Sequence, residues 1–319
     1  MTSAFSFQAA LKDRISAREA CVSTLGLGYV GLPLALTIAE AGLPTLGFDL
    51  NSARVADINA GKRVISYFPE DRIAGAVASG RFGATDDAAR LAEADIILIC
   101  VPTPLSASRE PDMAYVIRAP ETIATHLRPG QLLVLESTVW PGATATVVKP
   151  ILERGGLRAG IDFFLGFSPE REDPGNHQFG TRDIPKIVGA DDRDSRDLLE
   201  QFYACIVTRA VPVSSSATAE AVKLVENSFR TVNIALVNEM KDALDAMGVD
   251  VWEVVKAAAP KPFRYTPFYP GPGIGGDCLP VSPVYLSWRA RGVGSAETIA
   301  ARRGDGRIAA LGRRADRCR

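Results

Sequence analysis

Ala20-Cys21-Val22-Ser23-Thr24-Leu25-Gly26-Leu27-Gly28-Tyr29-Val30-Gly31, residues 20–31, is the stretch whose reading decides the fold. A short apolar run ends in a glycine turn and leads into a helix-forming segment, 32–41. The spacing Gly26, Gly28, Gly31 suits a strand–turn–helix unit that receives a dinucleotide. Its first glycine makes the tight turn, its second admits the pyrophosphate, and its third lets helix and sheet approach closely. Free N–H groups and the positive dipole end of the helix then face the phosphates. Asp49 closes the next strand, 45–49, where a carboxylate holds ribose hydroxyls and repels a 2′-phosphate. NAD is therefore expected over NADP, with Arg54 nearby weakening the preference.

Further strands are expected at 95–101, 132–135, 163–167, 186–188 and 207–213, with a cap at Asn51 or Ser52 for the helix between. The run Asp-Ile-Ile-Leu-Ile-Cys-Val at 95–101 is apolar throughout, as a strand buried on both faces requires. Strands alternating with helices imply an α/β, Rossmann-like, doubly wound parallel sheet. Beyond 213 the texture changes. Residues 217–247 contain neither Pro nor Gly and repeat apolar side chains at helical spacing, from Ala221, Leu224 and Val225 to Met240 and Leu244. One long helix is expected there, stopped by Gly248, with a shorter one at 251–259. The domains are read as 1–213, a dinucleotide-binding domain; 214–290, a helical central and dimerisation domain; and 291–319, an irregular basic tail.

Composition narrows the partners. The 319 residues are 47% hydrophobic, with 36 basic and 37 acidic side chains, which points away from nucleic acid. Five scattered cysteines suit a reducing cytoplasm rather than a disulfide framework. No signal-peptide pattern or membrane-length apolar run is present, and no metal-ligand spacing stands out. From Arg289 onward nine Arg face only Glu297, Asp305 and Asp316, a net charge of +6 on a segment too poor in apolar residues to build a core.

Several loops carry chemistry. Val101-Pro102-Thr103-Pro104 and Glu136-Ser137-Thr138-Val139-Trp140-Pro141-Gly142 each follow a strand at the carboxyl edge of the sheet, where ligands bind in such folds. Ser168-Pro169-Glu170-Arg171 places a carboxylate and a guanidinium at the same edge. Lys223 and Asn227, four residues apart on the long helix, share a face that could hold an oxyanion, although on spacing alone an exposed helix lysine is the stronger reading. Cys278 lies in Gly271-Pro272-Gly273-Ile274-Gly275-Gly276-Asp277-Cys278-Leu279-Pro280, a stiff, close-approach loop that suits a nucleophile better than a core thiol.

Taken in order, GLGYVGLPLA, CVPTP, ESTVWPGAT, SPEREDPGN, AEAVKLVENSFR and YPGPGIGGDCLPVSP resemble the UDP-glucose/GDP-mannose dehydrogenase family over about residues 22–288. The forms around Arg171 and Cys278 look most like UDP-N-acetylglucosamine and UDP-N-acetylmannosamine 6-dehydrogenases. The resemblance implies a four-electron oxidation of a sugar C6 alcohol with two NAD, in a homodimer. It implies Cys278 as nucleophile, Lys223 and Asn227 as oxyanion stabilisers, and Thr138 and Glu170 as the pair handling water. Cofactor contacts are implied at Gly26, Gly28, Tyr29, Val30, Gly31, Asp49, Pro102, Thr103 and Thr138. Substrate contacts are implied at Glu170, Arg171, Lys223, Asn227, Tyr269, Gly273 and Gly275. Two residues depart from the family pattern: Asp277 replaces a histidine and Ser282 an aspartate. The family's third, nucleotide-binding domain has no counterpart in the Arg/Gly-rich tail, so a C-terminally truncated chain is expected, either weakly active or a non-catalytic NAD-binding remnant.

Overall fold

The computed structural model describes residues 4–65, 70–171, 180–276 and 279–294. Cys278, Asp277, the stretch 172–176 of the SPEREDPGN motif and the tail from 295 lie outside the described residues. Two compact units form. One comprises residues 1–103 and 112–221, the other residues 104–111 and 222–319.

Helices α1 (Ala4–Ser16), α2 (Gly31–Glu40), α3 (Ser52–Asn59), α4 (Glu70–Ala78), α5 (Ala114–Ala124), α6 (Lys149–Leu152) and α7 (Arg193–Ala204) belong to the first unit. So do strands β1 (Val22–Leu25), β2 (Thr45–Phe48), β3 (Phe82–Thr85), β4 (Ile96–Ile99), β5 (Leu132–Leu135), β6 (Phe164–Phe167), β7 (Lys186–Gly189) and β8 (Ala210–Val213). They form one sheet in the order β3-β2-β1-β4-β5-β6-β7-β8. The order reverses direction between β1 and β4, which opens the crevice in which such sheets receive ligands. The sheet is not wholly parallel, as the sequence reading had it. Strand β7 runs antiparallel to β6, with Phe167 opposite Gly189, and β8 then pairs parallel to β7.

Both faces of the sheet are covered, so β1, β2, β4, β5 and β6 are buried at every position. Alternate side chains Val22, Ile96, Leu98, Leu132, Val134 and Phe164 enter one core with Leu11 and Ile15 of α1 and Leu198, Leu199 and Phe202 of α7. A second core joins Leu32, Leu36 and Ala39 of α2 to Val55, Ile58, Ile73 and Phe82. Nine of the ten α2 residues are buried, which explains its almost uniformly apolar sequence. Asn51 caps α3 as expected, its Oδ1 accepting from the Arg54 N–H at 3.0 Å.

Helix α8 (Ser216–Ala246) starts in the first unit and continues in the second, followed by α9 (Val251–Ala258) and α10 (Ser282–Gly292). Gly248 takes φ +72° just past the α8 terminus. In the second unit Val237, Val251 and Val255 form a small core with Leu244 and Phe268. Tyr285 of α10 is fully buried and donates its hydroxyl to the Pro104 carbonyl at 3.3 Å. No helix among the described residues is long and apolar enough to cross a membrane.

Candidate functional site

In the first unit, the glycine turn between β1 and α2 is fixed by contact distances. Gly26 adopts φ +95°, and a Cβ at Gly31 would lie 1.8 Å from the Gly26 carbonyl oxygen. No larger residue fits either place without moving backbone. A Cβ at Gly28, by contrast, would meet nothing within 4 Å. That open space lies at the N-terminus of α2, which carries no side-chain cap. A phosphate can therefore enter, and the first-turn N–H groups can receive it. Asp49 sits one residue past β2. Its Oδ2 accepts from the Leu27 N–H at 2.9 Å and its Oδ1 from the Asn51 N–H at 2.9 Å. The carboxylate thus braces the turn. Arg54 lies 3.5 Å from the same Oδ2, so its charge is directed to Asp49.

The two loops after β4 and β5 are laced together. The Ser137 hydroxyl accepts from the Val101 N–H at 2.9 Å and donates to the Val101 carbonyl at 2.8 Å. This lacing anchors the backbone just ahead of Pro102 and Thr103 and holds Thr138, itself buried, at the same edge. The turn after β6 is tied to the approach to β7: Ser168 Oγ donates to the Ile187 carbonyl at 2.7 Å and Arg171 Nη1 to the Pro185 carbonyl at 2.5 Å. Glu170 and Arg171 line a cleft with Val30, Leu34, Thr181, Ile184 and Lys186. Glu170 and Val30, expected from sequence to touch substrate and cofactor respectively, thus share one cleft.

Two buried carboxylates escaped the sequence reading. Glu136, fully buried, is paired through Oε2 with Lys186 Nζ at 2.5 Å and accepts the Tyr203 hydroxyl at Oε1. Burial pushes its carboxyl above the usual range, against the attraction of Lys186. Tyr203 is raised well above its ordinary value, by burial first and the Glu136 charge second. Glu220 near the start of α8 accepts three bonds, from Gly142 N at 2.5 Å, Thr144 N at 2.8 Å and Thr144 Oγ1 at 2.6 Å. The partners of both carboxylates lie 50 or more residues away in sequence, beyond the reach of any local pattern.

In the second unit, Lys223 and Asn227 are both buried on α8, which removes the reading of an exposed helix lysine. Asn227 Nδ2 donates to Ser282 Oγ at 2.8 Å, so this serine orients the asparagine. Tyr269 stacks on Trp252, ring centroids 6.0 Å apart, and remains part exposed. Gly273 takes φ +128°, and a Cβ at Gly275 would meet nothing within 4 Å. Among the described residues no group of three or more His, Cys, Asp or Glu could hold a metal ion.

Residues 20–207 match the NAD binding domain of the UDP-glucose/GDP-mannose dehydrogenase family, and residues 217–303 match its central domain. The UDP-N-acetyl-D-glucosamine 6-dehydrogenase of Pseudomonas aeruginosa is 36% identical over 275 residues, covering 86% of this chain and 64% of that protein. The UDP-N-acetyl-D-mannosamine dehydrogenase of Pyrococcus horikoshii is 36% identical over 271 residues, covering 85% of the chain and 64% of that protein. The solved UDP-D-ManNAc dehydrogenase of P. horikoshii superposes with a TM-score of 0.83 at 36% identity, over 91% of this chain and 69% of that one. The chain therefore spans just under two thirds of the length of these two sequence relatives. The open approach at Gly28 and the Asp49 carboxylate fit NAD as the cofactor of the first unit. With two consecutive domain matches laid over a sheet and helices that carry the corresponding motifs, the chain belongs to the UDP-glucose/GDP-mannose dehydrogenase family.

Proposed function

We propose that this chain supplies the NAD-binding and central parts of a nucleotide-sugar 6-dehydrogenase that oxidises the C6 hydroxyl of a UDP-N-acetylhexosamine to a carboxylate. The observation that carries the reading is the burial of Lys223 and Asn227 one turn apart, with the Asn227 amide held by Ser282. A fixed ammonium and a fixed amide donor of this kind stabilise negative charge on a reacting oxygen. NAD, when bound, accepts one hydride in each of two successive oxidations. Gly26, Gly28, Tyr29, Val30, Gly31 and Asp49 hold it, with Pro102, Thr103 and Thr138 at the adjoining edge.

The chain's own residues do the rest. The Cys278 thiolate adds to the C6 aldehyde, and Lys223 and Asn227 support the oxyanion of the resulting thiohemiacetal. Loss of the second hydride leaves a thioester on Cys278. Thr138 and Glu170 then direct water to the thioester carbon, which releases the carboxylate and restores the thiol. The resemblance assigns substrate contacts to Arg171, Tyr269, Gly273 and Gly275. The organisation that follows is a cofactor domain over 1–213, a central domain over 214–290 and a basic tail over 291–319. The active form is a homodimer, supported by the exposed stripe Val225, Phe229, Leu236 and Met240 on α8.

Incubating the purified protein with NAD and a panel of nucleotide sugars tests the reading. UDP-N-acetylglucosamine or UDP-N-acetylmannosamine should yield two NADH per acid formed. Cys278→Ser should stop acid formation, while Cys100→Ser should not. Binding of NAD without turnover of any nucleotide sugar would leave a non-catalytic NAD-binding chain in place of an enzyme.

A further inference from the structure

Glu136 and Lys186 make a buried ion pair, and such a pair is weak evidence of stabilisation, since apolar residues of similar size often do as well. Its location suggests a different use. Glu136 directly precedes Ser137 and Thr138 at the end of β5. Ser137 in turn is bonded to Val101 on the loop after β4. Lys186 lies between the two residues whose carbonyls tie down the turn after β6: Pro185 takes Arg171 and Ile187 takes Ser168. Its ammonium therefore joins the segment that anchors Glu170 to the segment that carries Thr138. Tyr203 of α7 closes the arrangement from below, donating to the second oxygen of Glu136, with the Lys186 ammonium 5.5 Å from its ring centre. Lys186 also lines the cleft that contains Glu170.

We infer that Glu136, Lys186 and Tyr203 form a positioning triad that sets the spacing between Thr138 and Glu170. The inference rests on the reading of those two residues as the pair that directs water. No member of the triad touches substrate in this scheme. Each acts by fixing where a sheet-edge loop stands. The buried Glu136 carboxylate needs the lysine to remain in place, and the lysine needs the carboxylate, so neither loop can shift alone.

The test compares the wild type with E136Q/K186Q, which removes both charges together, and with K186R, which keeps the ion pair. Hydrogen exchange followed by mass spectrometry reads the loops directly. Exchange in segments 136–142 and 168–171 should rise in the double variant and stay at the wild-type level over the glycine turn, 26–31. In the same preparation, kcat should fall about 100-fold with KM within roughly threefold, the size expected when reacting groups are misplaced by about an ångström. K186R should recover kcat to within about tenfold of wild type. Unchanged exchange in both segments would overturn the inference, and so would raised exchange with wild-type kcat. If the wild type turns over no UDP-N-acetylhexosamine, the proposed function fails, and the exchange measurement alone still decides whether the triad fixes the two loops.

Discussion

Gly28 and Gly31 stand three residues apart in one motif yet answer to different constraints. A side chain at Gly31 collides with the turn itself, whereas one at Gly28 projects into open space at the N-terminus of α2, the place proposed for the pyrophosphate. Gly31→Ala should therefore lower the melting temperature sharply. Gly28→Ala should leave it close to wild type while weakening NAD binding at least tenfold by calorimetry, an order-of-magnitude expectation for a blocked pyrophosphate contact. Glu220 gives a second contrast. Burial lifts its carboxyl above the ordinary 4.5, so the folded chain holds the proton to higher pH than the unfolded chain does. Its linked contribution is complete below the unfolded value and is lost as pH rises through the folded one. The difference in melting temperature between wild type and Glu220→Gln should accordingly shrink as pH rises from 4 toward 7, the ordinary carboxyl value of 4.5 lying within that span. Glu220→Ala should cost about 1–3 kcal/mol, because the Gly142 and Thr144 donors lose their acceptor. The glycine turn and Asp49 were legible in the sequence because their partners are close along the chain or set by the motif. Glu136, Lys186, Tyr203 and Glu220 were not, because only the folded sheet brings their partners together.

Among the elements, the buried strands follow from continuous apolar runs, and β5 was readable to the residue at Leu132–Leu135. Strand β3 escaped because Gly83 and the flanking polar residues break its apolar run. Helix α10 escaped because its polar and apolar residues follow no clear helical period, although Pro283 sits in its first turn. The antiparallel direction of β7 has no local signature. A four-residue strand such as Lys-Ile-Val-Gly reads the same in either direction, and the loop before it determines which way it enters. On α8 the apolar period was legible, but not its division between interior and surface. Leu224 and Val237 turn inward while Val225, Phe229, Leu236 and Met240 remain exposed. Charged substitutions on that outer stripe, Phe229→Asp with Met240→Asp, should convert a dimer to monomer in light scattering with little change in helicity. A wild type that is monomeric at every micromolar concentration would remove the stripe's assigned role.

At the scale of the whole molecule, the docking of α1 determines how folding must proceed. Gln8 bonds to Asp194 and Gln201 to the Lys12 carbonyl, contacts 186 and 189 residues apart in sequence. Helix α1 thus lacks its α7 partner until residues 193–204 have been made, although Arg14 pairs with Asp95 and Leu11 and Ile15 share a core with β1 and β4. At common elongation rates that wait is roughly ten to forty seconds. Leu11 and Ile15, fully or almost fully buried in the folded chain, gain the Leu198, Leu199 and Phe202 side of their core only then. Parallel strands joined by crossovers add further long-range closures before the sheet can form. A nascent chain of this design completes the core around α1 late, from segments far apart in sequence.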